Sequence, residues 1–342
     1  MISLVHFDTM SVEPLTRRAP NGDIIVICTC GDVTEPGRNN RVYMFRSTDN
    51  GKTWDNGTII NPDDGKAYYS SCFVVVDGVM YVFISSHNGC FVGWDNYILK
   101  SSDNGYTFMI ERLKLLPKYA FIRNMAKLSD GRLLFNYHAY PVTEEMENNC
   151  LSNNEIIASA PIEYVDNGII VGDFKNGFKK INAFRMPKRE IPVWNNGLWT
   201  WNWTENATVE LEKGHLAMLY RVDKSGFLFR CDSYDFGETW EKPYKTDLNN
   251  PSTKIYLEKL PNGDIMLVNS FNNNPGHYLR KRFPLEIWLS RDNMKTWYKK
   301  IIVSNYPGAY SYPDGFIEKN HFKFVYDFNR HDIYYADIDL NE

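Results

Sequence analysis

The sequence predicts an all-β fold, a six-bladed β-propeller, and three observations carry that expectation. An eight-residue turn pattern recurs four times, six hairpin turns recur at a near-constant spacing, and the composition favours strands.

The turn pattern is S-x-D-x-G-x-T-aromatic. It occurs as STDNGKTW from Ser47, SSDNGYTF from Ser101, SYDFGETW from Ser233 and SRDNMKTW from Ser290, with Phe108 replacing tryptophan in the second copy and Met294 replacing glycine in the fourth. A single copy reads as a tight hairpin, because asparagine and glycine tolerate positive φ and aspartate bonds its own backbone. The starts lie 54, 132 and 57 residues apart, so the middle interval is two periods with one copy missing. That period is the length of a propeller blade.

The hairpins come next. PNGD at Pro20, VDGV at Val76, SDGR at Ser129, EKGH at Glu212, PNGD at Pro261 and EKNH at Glu318 are each followed by an apolar strand such as IIVIC or MYVFI. Their central residues, Gly22, Gly78, Gly131, Gly214, Gly263 and Asn320, lie 56, 53, 83, 49 and 57 apart. The long interval holds a tryptophan-rich insertion between about Asn176 and Thr204. The four aspartate turns then join the third and fourth strands of a blade, with Trp54, Phe108, Trp240 and Trp297 packing between blades. The opening segment ISLVHF completes the last blade and closes the ring non-covalently. One propeller domain over residues 1–342 is expected.

Composition narrows the function. A net charge of -4 makes no basic field, which argues against nucleic acid and anionic membrane as partners. No run approaches the roughly 20 apolar residues of a membrane helix. The N-terminus MISLVHFDTM has no basic start and no long apolar run, so no signal peptide is expected and the location expected is cytoplasmic. Cys28 and Cys30 share one side of a strand, and Cys72, Cys90, Cys150 and Cys231 lack metal-ligand spacing. All six are expected to be reduced thiols, with no metal and no cofactor.

In a propeller the residues just ahead of each blade's first strand reach the mouth of the channel. Counting back from each hairpin samples Val12 and Glu13, Tyr69 and Ser70, Arg123, Glu205, Lys254 and Tyr310. Opposite charges and two tyrosines in a poorly solvated ring perturb one another's ionisation, which marks a candidate site.

Six blades with these turns resemble the sialidase (neuraminidase) superfamily, whose turns are called Asp boxes or BNR repeats. The likeness covers essentially the whole chain as architecture. It implies roles for four residues: Glu205 in TENATVEL, Arg221 at the end of HLAMLYR, Arg282 eight residues ahead of Ser290, and Tyr310 in GAYSYPDG. On that resemblance Tyr310 is the nucleophile and Glu205, hydrogen-bonded to it, takes its proton as it attacks. Tyrosine suits an anomeric carbon bearing a carboxylate, where an anionic nucleophile is repelled, and Arg221 and Arg282 bind that carboxylate. The general acid falls in CGDVTEPGRNN, at Glu35 or Asp32.

One departure is plain. The family's first clamp arginine falls at Val12 here, while Arg17 and Arg18 stand too close to the turn to replace it; Arg123 approaches the same mouth. The sugar is therefore open, acidic or neutral. His87 and Asn88, with Trp201 and Trp203, are further candidates for sugar contact. The reading is an exo-acting, retaining glycoside hydrolase acting on an oligosaccharide. The alternative is a propeller that binds a glycan or protein without catalysis.

Overall fold

The structure, a computed structural model, describes residues 1–153, 155, 157, 160–187, 203–223, 225–272 and 281–341. Strand β1 (Ile2–Phe7) comes first. Blade one follows with β2 (Val12–Arg18), β3 (Ile24–Cys30), β4 (Arg41–Ser47) and β5 (Thr58–Ile59). Blade two holds β6 (Ala67–Val76), β7 (Val79–His87), β8 (Asp95–Ser101) and β9 (Met109–Arg112). Blade three has β10 (Ala120–Lys127), β11 (Leu133–Ala139), helix α1 (Glu144–Asn153), β12 (Tyr164–Asp173) and β13 (Gly177–Pro187). Blade four is β14 (Asn206–Glu212), β15 (His215–Arg221), β16 (Phe227–Ser233) and β17 (Tyr244–Asn249). Blade five is β18 (Tyr256–Lys259), β19 (Ile265–Ser270), β20 (Leu285–Ser290) and β21 (Lys299–Ser304). Blade six is β22 (Tyr310–Glu318), β23 (His321–Phe328) and β24 (Asp332–Asp339), with β1 as its fourth strand. Six four-stranded antiparallel sheets make a six-bladed β-propeller, as the repeats predict.

The chain divides into two compact units. The first comprises residues Met1–Lys114, Asn149–Ile157 and Ser311–Glu342, and the second Leu115–Asn148 and Ala158–Tyr310. In the first, β3 shows why an unbroken apolar run forms a strand. Its period of two sends Ile25 and Ile27 into one cluster with Leu15, Phe73 and Val82, and Ile24, Val26, Cys28 and Cys30 into another with Val325, Ile333 and Tyr335. Each fully buried aliphatic chain contributes about 1.5–3 kcal/mol. All six cysteines are free, and the Cys28 and Cys30 sulfurs lie 3.2 Å apart on one face. In the second unit, the clusters around Leu134, Ile169 and Met218 and around Val209, Leu257 and Leu267 fill the interfaces between consecutive blades.

The four Asp boxes share one hydrogen-bond pattern. In the first, Ser47 Oγ donates to Asp49 Oδ1 at 2.8 Å and accepts from Gly51 N at 2.8 Å, while Thr53 donates its amide to Oδ1 and its hydroxyl to Oδ2. Ser101, Ser233 and Ser290 repeat it with Asp103, Asp235 and Asp292. Trp54, Phe108, Trp240 and Trp297 pack against the four clusters between blades.

Two expectations change. The insertion expected between about Asn176 and Thr204 is in part strand: Gly177–Pro187 form β13, so blade three keeps its fourth strand without an Asp box. There Asp173 Oδ1 accepts the amides of Lys175 and Asn176, a shorter turn that does the same work. In the sixth hairpin the left-handed residue is Lys319, with φ of 58°, and not Asn320.

Candidate active site

The second unit concentrates buried charge where β10, β14 and β15 come together. The pairing of β10 with β11 shifts between Ile122 and Met125, a bulge that takes Arg123 out of the regular ladder. Glu205 stands just ahead of β14, and Arg221 ends β15 with its amide donating to Glu205 O at 3.3 Å. Glu205 Oε1 lies 3.2 Å from Arg123 Nη2 and Oε2 lies 3.0 Å from Arg221 Nη1, with all three side chains buried. The second contact is an ion pair without an aligned hydrogen bond. Arg221 Nη1 donates instead to the carbonyl of Ser252 at 2.9 Å, and Nε to that of Trp203.

Ser252 O also accepts Arg282 Nη2 at 2.6 Å, so one carbonyl spaces two guanidiniums. The loop that presents it is locked by Asn250, which bonds Thr253 N and O and the side chain of Asn269 and holds Ser252 at φ of 57°. Such a backbone costs about 1–3 kcal/mol and is found at functional sites. Arg282 in turn exchanges backbone bonds with the 308–310 segment, its carbonyl taking Tyr310 N at 3.0 Å. Lys254 is buried two residues beyond Ser252.

Thus the structure brings Arg123, Glu205, Arg221 and Arg282 together, with Trp203 and Tyr310 attached through main-chain bonds. It does not form the phenol–carboxylate bond expected between Tyr310 and Glu205. The Tyr310 hydroxyl bonds Ser304 Oγ at 2.6 Å, and Glu205 is drawn to two guanidiniums, which bind a carboxylate more strongly than a neutral phenol.

Beside the charges lies an aromatic group. His138 stacks on Phe121 at 5.2 Å and 6°, and the rings of Tyr140 and Trp203 meet both edge-on. Burial, then Asp223, raises the Tyr140 hydroxyl well above its ordinary value. Burial, then Arg123 and Arg221, holds His138 well below its own.

In the first unit, Glu13 and Tyr69 come from the sampled ring and are buried, and Tyr69 OH donates to Glu13 Oε1 at 2.9 Å. Glu13 adopts φ of 51° in a bulge of β2. His87 stacks on Trp94 and meets Phe91 edge-on; burial, then Arg41, lowers its pKa to about 4. Of the two candidate acids, Glu35 is ion-paired with Arg330, and Asp32 accepts the amides of Val33 and Asn39. Arg17 and Arg18 are held by Asp314 and Glu318. Trp201 lies outside the described residues.

Sequence reasoning missed Arg330, Ser252 and His138. Arg330 is half-buried, and desolvation lowers its pKa to about 10 against the raising effect of Glu13. A usable signal existed for His138: it stands near the end of its blade's second strand in LLFNYHAY, as His87 ends the same strand in the preceding blade. Among the described residues no cluster of three or more His, Cys, Asp or Glu side chains is placed to hold a metal, and no helix is long and apolar enough to cross a membrane.

Comparisons with known proteins agree with this fold. Residues 63–324 match the family described as BNR repeat-like domain. Among solved structures, the Hadza microbial sialidase Hz136 is similar at TM-score 0.74 and 16% identity, over 97% of this chain and 66% of that one. A protein of unknown function from Dyadobacter fermentans is similar at TM-score 0.71 and 16% identity, over 98% and 97%. The NanB sialidase from Streptococcus pneumoniae is similar at TM-score 0.69 and 13% identity, over 100% and 70%. The chain thus spans just under two thirds of the Hz136 length. No curated protein matches the sequence. At these identities the likeness is one of fold, and with the family match over most of its length the chain belongs to the BNR repeat-like domain family.

Proposed function

We propose that this protein is an exo-acting, retaining glycoside hydrolase that removes a terminal acidic sugar from an oligosaccharide. The observation that carries the reading is the convergence of Arg221 and Arg282, both buried, on the single oxygen of Ser252, beside Glu205. Two guanidiniums spaced by one oxygen suit a planar carboxylate, which they bind with paired, charge-assisted hydrogen bonds. Tyr310, fixed to Arg282 through the backbone, is the proposed nucleophile. Glu205 takes the phenol proton once a ligand carboxylate relieves it of an arginine. The acid that protonates the leaving oxygen is assigned from the sequence pattern, to Glu35 or Asp32.

A second reading is favoured by the Tyr310–Ser304 bond, which engages the phenol with a serine hydroxyl: a propeller that binds the glycan and does not cleave it. A panel of acidic and neutral aryl glycosides separates the two. Turnover by the wild type that Tyr310→Phe lowers at least 100-fold supports the hydrolase. Binding without turnover across the panel supports the second reading.

A further inference from the structure

Within the first unit, where blade six packs on blade one, two thiols and an imidazole meet that the proposed reaction does not use. Cys28 and Cys30 are both wholly buried on one face of β3, with their sulfurs in hydrogen-bond contact at 3.2 Å. The half-buried ring of His6, on β1, lies within polar reach of Cys30 and is stacked on Phe45 at 4.7 Å. The Ser11 hydroxyl lies beside Cys30, and Asp8 and Asp327 are within electrostatic range of the group. The negative charge settles on one sulfur. The hydrogen bond from Cys28 draws the Cys30 thiol below its ordinary value, against burial and with help from His6. Burial, then the bond to Cys30, pushes Cys28 well above its own, so Cys28 is the donor. Burial works against a charged His6, but attraction to the Cys30 sulfur outweighs it and raises the imidazole. A thiolate nucleophile, a neutral thiol that can resolve it and a proton donor thus stand together.

We propose that Cys28 and Cys30 are a redox-active dithiol, oxidised by hydrogen peroxide to a reversible disulfide within β3, with His6 as the proton donor. The Cys30 thiolate attacks one peroxide oxygen, the O–O bond breaks, and the leaving oxygen takes the His6 proton and departs as water. Cys30 is then a sulfenic acid. The Cys28 sulfur attacks it, the S–S bond forms, and the departing hydroxyl takes the Cys28 proton as a second water. Two thiols lose two electrons in all, and one peroxide gains them. Residues two apart in a strand have Cα atoms about 6.6 Å apart, near the upper limit of about 6.8 Å for a disulfide. The bridge is therefore strained and easily reduced. The cover over the pair is β1, an edge strand whose Val5 packs on the thiol cluster and whose register breaks between Leu4 and His6, and its local opening admits the oxidant. The inference is independent of the sugar-site reading.

The test sets reactivity against exposure. Wild type is treated with hydrogen peroxide, the remaining thiols are alkylated, and each cysteine is read by mass spectrometry. Exposure alone favours Cys90, which is half-buried where the other five are buried. The expected result is the reverse: Cys30 oxidises at least 10-fold faster than Cys90, is found bridged to Cys28, and is recovered by dithiothreitol. Cys28→Ser is expected to stop at a Cys30 sulfenic acid that dimedone traps. His6→Phe keeps a ring for the stack on Phe45, and is expected to slow the oxidation at least 10-fold and to move the pH midpoint of Cys30 alkylation upward. Thermal melting of both variants beside wild type checks that they fold. Oxidation of Cys90 before Cys30, or at an equal rate, overturns the proposal on wild type alone, whatever the variants do. Oxidation of Cys30 in wild type without a bridge to Cys28 overturns the dithiol, and a His6→Phe protein that oxidises as fast as wild type overturns the role of His6.

Discussion

Gly51 lies against the ring of Tyr335 so closely that a Cβ built on the glycine would fall inside the ring's van der Waals envelope. Gly51 also holds φ of 82°, which L-residues avoid. In the second Asp box the crowding is milder. A Cβ on Gly105 would meet Met44 Sδ and Met80 Cε at 3.1 Å, the ends of two flexible side chains. In the fourth box Met294 occupies the same position at φ of 67° and still donates its amide to Ser290 Oγ.

Gly51→Ala is therefore expected to cost about 2–4 kcal/mol, from backbone strain and overpacking together. Gly105→Ala is expected to cost less, about 1–2 kcal/mol. Met294→Gly is expected to change stability by less than about 1 kcal/mol, because relief of strain offsets lost packing against the Leu257 cluster. Urea unfolding of the three variants ranks them, and a Gly51→Ala protein as stable as wild type would show that Tyr335 yields freely.

The Asp boxes also set a pH dependence. The Asp292 carboxyl sits at about 2 against an ordinary 3.8, and those of Asp49, Asp103 and Asp235 are likewise lowered. The cause in each is the threonine four residues on, through its amide and hydroxyl, and then the serine hydroxyl. A lowered folded-state value means that the contribution is complete above the unfolded-state value and is lost as pH falls from about 4 towards 2. Asp292→Asn is expected to be less stable than wild type at pH 6, with the gap closing towards pH 2. A gap independent of pH across urea titrations would mean that the charge of the box does not matter.

Glu205 supplies the third expectation. Replacing it by glutamine leaves two buried guanidiniums one carboxylate short, which is expected to cost about 3 kcal/mol. Arg221→Met in the Glu205→Gln background should recover part of the loss, since the buried positive charge is then reduced. Melting temperatures of the single and double variants decide it. A double variant less stable than both singles would mean that the two side chains are not energetically paired.

Much of the fold was legible because it is written in local turn chemistry. Ser47 to Trp54 and its three relatives specify their turns by bonds within eight residues, and PNGD or SDGR hairpins do the same within four. The fourth strand of blade three escaped because Asp173 caps its turn with asparagine and lysine amides and no repeat marks it. The charged site was legible only as a set of residue types. Glu205 and Arg123 were found by counting back from turns, but the choice of a guanidinium over the phenol depends on a bulge in β10 and on the register of another blade. Arg330, His138 and the carbonyl of Ser252 are set by long-range packing, and a buried histidine reads in sequence like any other.

The pairing of β1 with β24 has a consequence for synthesis on the ribosome. The second unit ends at Tyr310, so its sheets can condense while the C-terminal strands are still being made. The first unit needs partners from both ends of the chain, and its N-terminal strand must wait unpaired until residues Asp332 to Asp339 emerge. Strand β1 should therefore be among the last to lock, and blade six the last sheet to be completed.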